Sequence, residues 1–389
     1  MKKLKIGFFI DTFFPMIDGV IMVVDNYAKR LSKIADVTVF CPYQKDKTFE
    51  DNFSYKVVRC KSVRMPGSDY CCGIPKMDSK FKKAVKNANL DLVHIHSPFG
   101  VGKIGVNYAK KHNIPCIATL HSQYKQDFYK ATHLKGLTNI LLNIAMSTFN
   151  KCDICWGVNS EIASLYKNEY RLKAPASVQN NGTELTLFEN KSEAEEFVNA
   201  KFNILPDEHV LLFVGRIIEL KNVFFIADSL EKVKKSGIKF KMLYVGSGPD
   251  EHRLKEHVEK LGLTDNVIFC GKITDREEMC KIYRRADIFL FPSLYDASSL
   301  VQIEAASQKT VSLFIKGAKT AGTITENVNG FLSENSVDSF ADKIIEILSD
   351  ENLLNTISEN AYRDLYLSWD KAVENAYNDY LKIIEEKKV

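Results

Sequence analysis

Short apolar runs separated by helix-spaced segments govern what this chain can become. Such runs occupy residues 4–10, 37–41, 57–63, 92–96, 114–120 and 154–158. Between most of them the apolar residues fall at helical spacing, as at Val20, Val23, Val24, Tyr27, Ala28 and Leu31, and again over 81–90, 103–111 and 134–149. Continuous apolar strands alternating with helices predict a parallel sheet covered on both faces. A second series of runs, at 210–214, 240–245, 267–270, 288–291 and 311–315, follows Asn181-Gly182. The class is therefore α/β, with two doubly wound domains. They meet near 185–205, a charged stretch without apolar periodicity until Phe202.

Such sheets bind ligands beyond the C-terminal ends of their strands. In the first domain this singles out the loops at 15–19, 97–102 and 121–123. In the second, Gly215-Arg216 follows a strand, and Lys221 precedes a helix. Fixed cations there suit a departing nucleoside diphosphate, which gathers negative charge as its bond breaks. The stretch from Phe291 to Gln308 carries the other half of the argument. Pro292 ends a strand, and Ser299 with Gln302 fits a capping box that opens a helix. Glu304 shares a helix face with Leu300. Asp296 lies in the turn upstream. Two carboxylates then bracket a helix N-terminus, an arrangement suited to a phosphate on the amides and hydroxyls on the carboxylates. The plainer reading is a solvated acidic pair on an ordinary capped helix.

The segment Asp296-Ala-Ser-Ser-Leu-Val-Gln-Ile-Glu304 resembles the E-x7-E signature of retaining glycosyltransferases of GT-B fold, in particular glycosyltransferase family 4 (glycosyltransferases group 1). Asp296 stands for the first Glu, and the usual glycines are missing. Gly215-Arg216 through Lys221 resembles the G-R-x4-K segment of the same family. The resemblance implies two Rossmann-like domains with a cleft between them. Residues 1–188 would form the acceptor domain and 189–369 the nucleotide-sugar donor domain. A last helix over about 370–389, marked by Trp369, Ala372, Ala376, Tyr380 and Ile383, would pack back on the first.

Roles follow by the same resemblance. Glu304 would hold the ribose hydroxyls. Asp296, with the amides near Ser298, Ser299 and Leu300, would hold the donor sugar. Arg216 and Lys221 would neutralise the diphosphate, and the loop at Gly19 would close on the donor phosphates. His121 would lie near the reacting sugar, and Ile273, beyond Gly271, near the nucleobase. No D-x-D motif occurs, so no metal is expected. The co-substrate would be a UDP- or GDP-linked sugar, with no separate cofactor. The acceptor would be a lipid, a lipid-linked sugar or a saccharide. A nucleotide-sugar 2-epimerase and a non-catalytic sugar-binding subunit remain alternatives.

Other patterns point elsewhere. Gly100-Val-Gly102-Lys-Ile-Gly105 is a G-x-G-x-x-G between a strand and a helix, but the next strand ends at His121 without an acidic residue for a ribose. Cys152-Asp-Ile-Cys155 has no second ligand pair. His94 and His96 share a strand face, and packing is expected of them. Nine cysteines without framework spacing predict reduced thiols. The N-terminus lacks a signal-peptide pattern, so a cytoplasmic protein is expected. The first 185 residues carry 27 Lys+Arg against 15 Asp+Glu, and the remainder 26 against 34. No nucleic-acid motif accompanies the basic half. Lys76, Lys80, Lys82, Lys83 and Lys86 interleave with Phe81 and Val85, and the apolar segment 134–149 is flanked by Lys125, Lys130 and Lys135. An anionic membrane surface, on the inner face of the cell membrane, is therefore a candidate partner.

Overall fold

A computed structural model of the chain describes residues 3–44, 49–64 and 71–388. It divides into two compact units, Met1–Asn181 with Trp369–Val389, and Gly182–Ser368.

In unit 1 the order is β1 (Lys5–Phe9), α1 (Gly19–Leu31), β2 (Asp36–Pro42), β3 (Lys56–Cys60), β4 (Ser62–Arg64), β5 (Cys71–Gly73), α2 (Ser79–Lys86), β6 (Leu92–Ile95), α3 (Gly100–His112), β7 (Cys116–Leu120), α4 (Tyr124–Thr132), α5 (Lys135–Phe149), β8 (Ile154–Gly157), α6 (Ser160–Asn168) and β9 (Ala176–Val178). Seven strands form one sheet in the order β3-β2-β1-β6-β7-β8-β9, and every pairing is parallel. Every residue of β6 and β7 is buried, as expected for strands covered on both faces. The apolar run at 57–63 divides, because the Lys61 amide donates to Asp78 Oδ2 (3.0 Å) and leaves the ladder. Its far end, β4, pairs antiparallel with β5. The helix expected over 81–90 stops at Lys86, capped by Asn87.

Unit 2 runs α7 (Lys191–Phe202), β10 (His209–Val214), α8 (Val223–Lys235), β11 (Phe240–Val245), α9 (Glu251–Lys260), β12 (Val267–Gly271), α10 (Arg276–Arg285), β13 (Ile288–Phe291), α11 (Leu300–Ser307), β14 (Val311–Ile315), β15 (Phe331–Ser333), α12 (Val337–Leu348) and α13 (Glu351–Leu365). Its parallel sheet has the order β12-β11-β10-β13-β14-β15. In both sheets the strand order reverses beside the first strand, between β1 and β6 and between β10 and β13. Ligands of open α/β sheets bind at such switch points.

The unit boundary precedes the 188–189 division expected from the sequence. Thr183 N–H donates to Leu367 O (2.9 Å), Leu185 is buried in the unit 2 core, and Phe188 N–H donates to Gln308 Oε1 (2.8 Å). The segment after Gly182 thus spends its backbone bonds and apolar side chains on unit 2.

The last helix, α14 (Trp369–Lys388), belongs to unit 1 and buries Trp369, Ala372, Val373, Ala376 and Tyr380. Asp370 Oδ1 lies 2.6 Å from Arg30 Nε on α1. Tyr380 stacks on Trp156 (5.3 Å between centroids, 9° between planes), and its hydroxyl lies 2.7 Å from His94 Nδ1. A stacked aromatic pair adds about 0.5–1.5 kcal/mol beyond its buried area. All nine cysteines are unbridged.

Candidate functional site

Beside the unit 2 switch point, the glycine turns after β10 and β11 pack backbone against backbone. Gly215 follows β10 with φ +154°, and Gly246 follows β11 with φ +134°. A Cβ at 246 would fall 1.9 Å from Gly215 O, and one at 248 would fall 2.0 Å from Ile217 O. Glycine is required at both positions by this contact. The turns carry residues 216–221 across the strand ends. Asp250 Oδ2 accepts from Glu219 N–H (2.8 Å), fixing the short 3-10 turn that ends at Lys221.

Lys221 Nζ lies 3.0 and 2.9 Å from the two carboxylate oxygens of Asp296, and 5.0 Å from the centre of the Phe291 ring. Ser293 Oγ donates to Asp296 Oδ2 (2.7 Å). Asn222 Nδ2 donates to Pro292 O (2.8 Å), tying the start of α8 to the exit of β13. The two residues assigned to different parts of a donor therefore hold each other, across 75 positions of sequence. Arg216 is exposed and makes no ion pair among the described residues.

Ser299 caps α11 by accepting from Gln302 N–H (3.2 Å). The reciprocal half of the expected capping box does not form. Gln302 Oε1 instead accepts from Thr323 Oγ1 (3.1 Å), and its Nε2 is buried without a partner among the described residues. Glu304 Oε2 accepts from the Tyr283 hydroxyl (2.9 Å). Burial pushes the Glu304 carboxyl above its usual range, and the Tyr283 bond opposes that shift. Ser298 and Leu300 flank the cap half-buried. Ile273, beyond Gly271 (φ +68°), packs partly buried against the unit 2 core. Thus Arg216, Lys221, Asp296 and Glu304 all stand on segments at the C-terminal ends of β10 and β13 or on the helix that follows.

In unit 1 the G-x-G-x-x-G turn has an occupant of its own. Asp11, just past β1, accepts from Val101 N–H (2.7 Å) at Oδ1. Its Oδ2 accepts from Ser97 Oγ (2.7 Å), Phe99 N–H (3.2 Å) and Gly102 N–H (3.4 Å). An internal carboxylate fills the α3 N-terminus, where a dinucleotide fold would place a pyrophosphate. Burial pushes the Asp11 pKa up, and these donors oppose it. The glycines serve packing: a Cβ at 102 would fall 1.8 Å from Ser97 O, and one at 105 would fall 2.7 Å from the Phe9 ring. Nothing near Asp11 in sequence marks this role, because its partners are 86 to 91 positions away.

Gly19 opens α1 behind the Asp18 cap, whose Oδ1 accepts from Ile21 N–H (2.8 Å). A Cβ at 19 would meet nothing within 4 Å, so no protein atom demands glycine there. His121, past β7, places Nε2 3.0 Å from His96 Nδ1. Burial lowers the His121 pKa to about 3, and holds His94 and His96 well below the ordinary value. His94 is paired at both nitrogens, with Tyr380 and with Thr119 Oγ1 (2.7 Å). His96 Nε2 is buried without a partner among the described residues. The packing role expected for His94 and His96 holds, and His96 in addition contacts His121.

The two basic segments differ. Phe81 and Val85 are core residues, so α2 presents lysines without an apolar surface. The pair α4–α5 is amphipathic in the open. Leu134 and Ile140 are 61% and 58% exposed, and Leu137 and Ile144 are exposed beside them. Lys125, Tyr129 and Lys135 line an adjoining groove of ≈ 490 Å³. Among the described residues, no helix is long and apolar enough to cross a membrane.

Comparison with known proteins bears on these features. Residues 17–187 match the family model described as Glycosyltransferase Family 4, and residues 194–364 match that described as Glycosyl transferases group 1. The chain is similar to an alpha-monoglucosyldiacylglycerol synthase of Streptococcus pneumoniae, 28% identical over 387 residues, covering 97% of this chain and 86% of that one. Similarity to the synthase of the same name from Acholeplasma laidlawii is 26% over 92% of each chain. Among solved structures, a glycosyltransferase from Rickettsia africae matches with TM-score 0.75 and 18% identity over 99% of both chains. Anabaena HepE in complex with UDP matches with TM-score 0.78 and 17% identity, covering 97% of this chain and 100% of that one. Likeness at that identity establishes a shared fold.

Proposed function

The chain belongs to glycosyltransferase family 4, the glycosyl transferases group 1, and is a glycosyltransferase of GT-B fold; we propose that it moves a hexose from a nucleotide sugar to a lipid, lipid-linked or saccharide acceptor with retention of configuration. The observation that carries this reading is the Lys221–Asp296 pair at the β10/β13 switch point, with Arg216 exposed on the turn after β10 and Glu304 on α11. Glu304 takes the ribose hydroxyls. Arg216 and Lys221 take the diphosphate, Gly19 lets the α1 terminus approach its phosphates, and Ile273 lies against the nucleobase. An arriving diphosphate offers Lys221 a stronger anion and leaves Asp296, with the backbone at Ser298–Leu300, to the sugar hydroxyls. His121, kept neutral by burial, meets a sugar hydroxyl.

In the reaction, the bond from the anomeric carbon to the leaving phosphate oxygen breaks, and a bond to the acceptor oxygen forms on the same face. The acceptor proton passes to the departing phosphate. Charge gathers on the diphosphate, where two fixed cations stabilise it without a metal. Similarity to two proteins named alpha-monoglucosyldiacylglycerol synthase favours a diacylglycerol-type acceptor. The α4–α5 surface then rests on the anionic inner face of the cell membrane, with its apolar residues inward and Lys125 and Lys135 at the headgroups.

Thermal shift against a panel of UDP- and GDP-sugars tests the donor, since a ligand of the native state raises the melting temperature. Glu304→Ala should weaken donor binding by about 1–3 kcal/mol in a folded protein, because it leaves a polar pocket half-paired. Unchanged affinity would sink the assignment. Conversion of a nucleotide sugar without any acceptor would instead favour a 2-epimerase. Binding without turnover on lipid or saccharide acceptors would favour a non-catalytic subunit.

A further inference from the structure

The His96–His121 contact bears on which way His121 faces its substrate. Both rings are neutral, so each has one N–H and one bare nitrogen. A hydrogen bond between His96 Nδ1 and His121 Nε2 then allows two proton arrangements. In the first, His96 Nδ1–H donates, His121 carries its proton on Nδ1, and His96 Nε2 is a bare acceptor. In the second, His121 Nε2–H donates, His121 Nδ1 is bare, and His96 carries a proton on Nε2. The two differ in what is buried at His96 Nε2, an atom with no partner among the described residues. Around that ring stand Phe8, Tyr27 and His94, at centroid distances of 5.4, 6.5 and 4.2 Å, and His94 has both nitrogens engaged elsewhere. The one oxygen on these rings, the Tyr27 hydroxyl, makes no hydrogen bond to His96 Nε2 among the described residues. A buried donor without an acceptor is rarer in proteins than a buried acceptor without a donor. The first arrangement is favoured.

We infer that His96 is a positioning residue that holds His121 in its Nδ1–H tautomer, so that His121 meets the sugar as a hydrogen-bond donor. This rests on the reading of His121 as a contact to a sugar hydroxyl. The consequence is chemical: a donor supports an oxygen that gains negative charge, while an acceptor would favour a hydroxyl that keeps its proton.

The tautomer is measured without any substrate. In the full-length protein with ring-15N histidine, two-bond proton–nitrogen correlation separates protonated from bare ring nitrogens, and His121→Gln assigns the signals. The wild type should show His121 protonated at Nδ1 and bare at Nε2. His96→Leu should lose that signature, and kcat should fall roughly tenfold with KM within about twofold. His96→Asn, whose amide can stand where ring Nδ1 stood, should restore both the signature and the rate. A wild-type His121 protonated at Nε2 overturns the inference. Full turnover by His121→Ala, with the Nδ1–H signature intact in the wild type, would instead remove the sugar-contact reading and leave the tautomer standing.

Discussion

Two corners of this molecule are built to one plan, a strand running through a glycine turn into a helix. In unit 1 the corner is β6 to α3, with Gly100, Gly102 and Gly105. In unit 2 it is β10 to α8, with Gly215 and, from the neighbouring turn, Gly246 and Gly248. Each has glycines that steric contact demands. They differ in charge. The unit 1 corner is closed by Asp11, an anion supplied from within. The unit 2 corner carries Arg216 in the open and Lys221 on a carboxylate already positioned by Ser293. A glycine-rich turn reports a close backbone approach; whether a phosphate can use it depends on whether the protein has already filled the place.

The largest effect should come from emptying the filled corner. Asp11→Ala strands the Ser97 hydroxyl and the amides of Phe99, Val101 and Gly102, and should cost about 3 kcal/mol of stability. Denaturant titration checks this, and a wild-type midpoint would break the comparison. Acid should separate the units next. His121 binds a proton far less readily folded, at about 3, than unfolded, near 6.5. Between these values the unfolded chain holds more protons, so stability is full above about pH 6.5 and falls as pH drops toward 3. For His121 alone the loss between pH 7 and 5 is about 2 kcal/mol. His94 and His96 act in the same direction. The histidines of unit 2, His209, His252 and His257, lie at the surface beside carboxylates. Hydrogen exchange at the two pH values should show unit 1 opening first, and equal opening would remove the contrast.

In the open corner the effect should be on rate. Arg216→Ala and Lys221→Ala should each slow transfer tenfold or more, about 1.4 kcal/mol of transition-state stabilisation. Arg216→Ala is the cleaner variant, since Lys221→Ala also deprives Asp296 of its cation. EDTA should leave the rate unchanged, and strict dependence on Mg²⁺ or Mn²⁺ would contradict two-cation stabilisation. The smallest effect contrasts two surfaces within unit 1. Lys125→Ala and Lys135→Ala should each weaken binding to anionic vesicles by about 1 kcal/mol, less at high salt. Lys82→Ala, on a helix without an exposed apolar face, should matter less. Absence of vesicle binding at low salt would end the membrane reading.

Much of the fold is legible in the chain because strands covered on both faces are unbroken apolar runs. β1, β6, β7, β10, β13 and β14 can be read almost end to end. The pieces that escape are those whose partners decide them. β9 is three residues long and exposed, and β4 leaves its strand only because Asp78 takes the Lys61 amide. At the site, Arg216, Lys221, Asp296 and Glu304 stand out by spacing. The pairing of Lys221 with Asp296 does not, because no spacing rule links residues so far apart. Gln302 satisfies the sequence rule for a capping box, yet Thr323 takes its side-chain oxygen. Asp11 and His96 look like a loop residue and a core residue until their distant partners are in place.

The return of α14 to unit 1 also sets an order of manufacture. Unit 2 is one uninterrupted segment, and all of it is made before α14. Trp156 lacks its stacking partner and His94 one of its hydrogen bonds until Tyr380 has been made. In a chain made and folded from its N-terminus, unit 1 therefore holds an incomplete aromatic seam until the whole of unit 2 has been made.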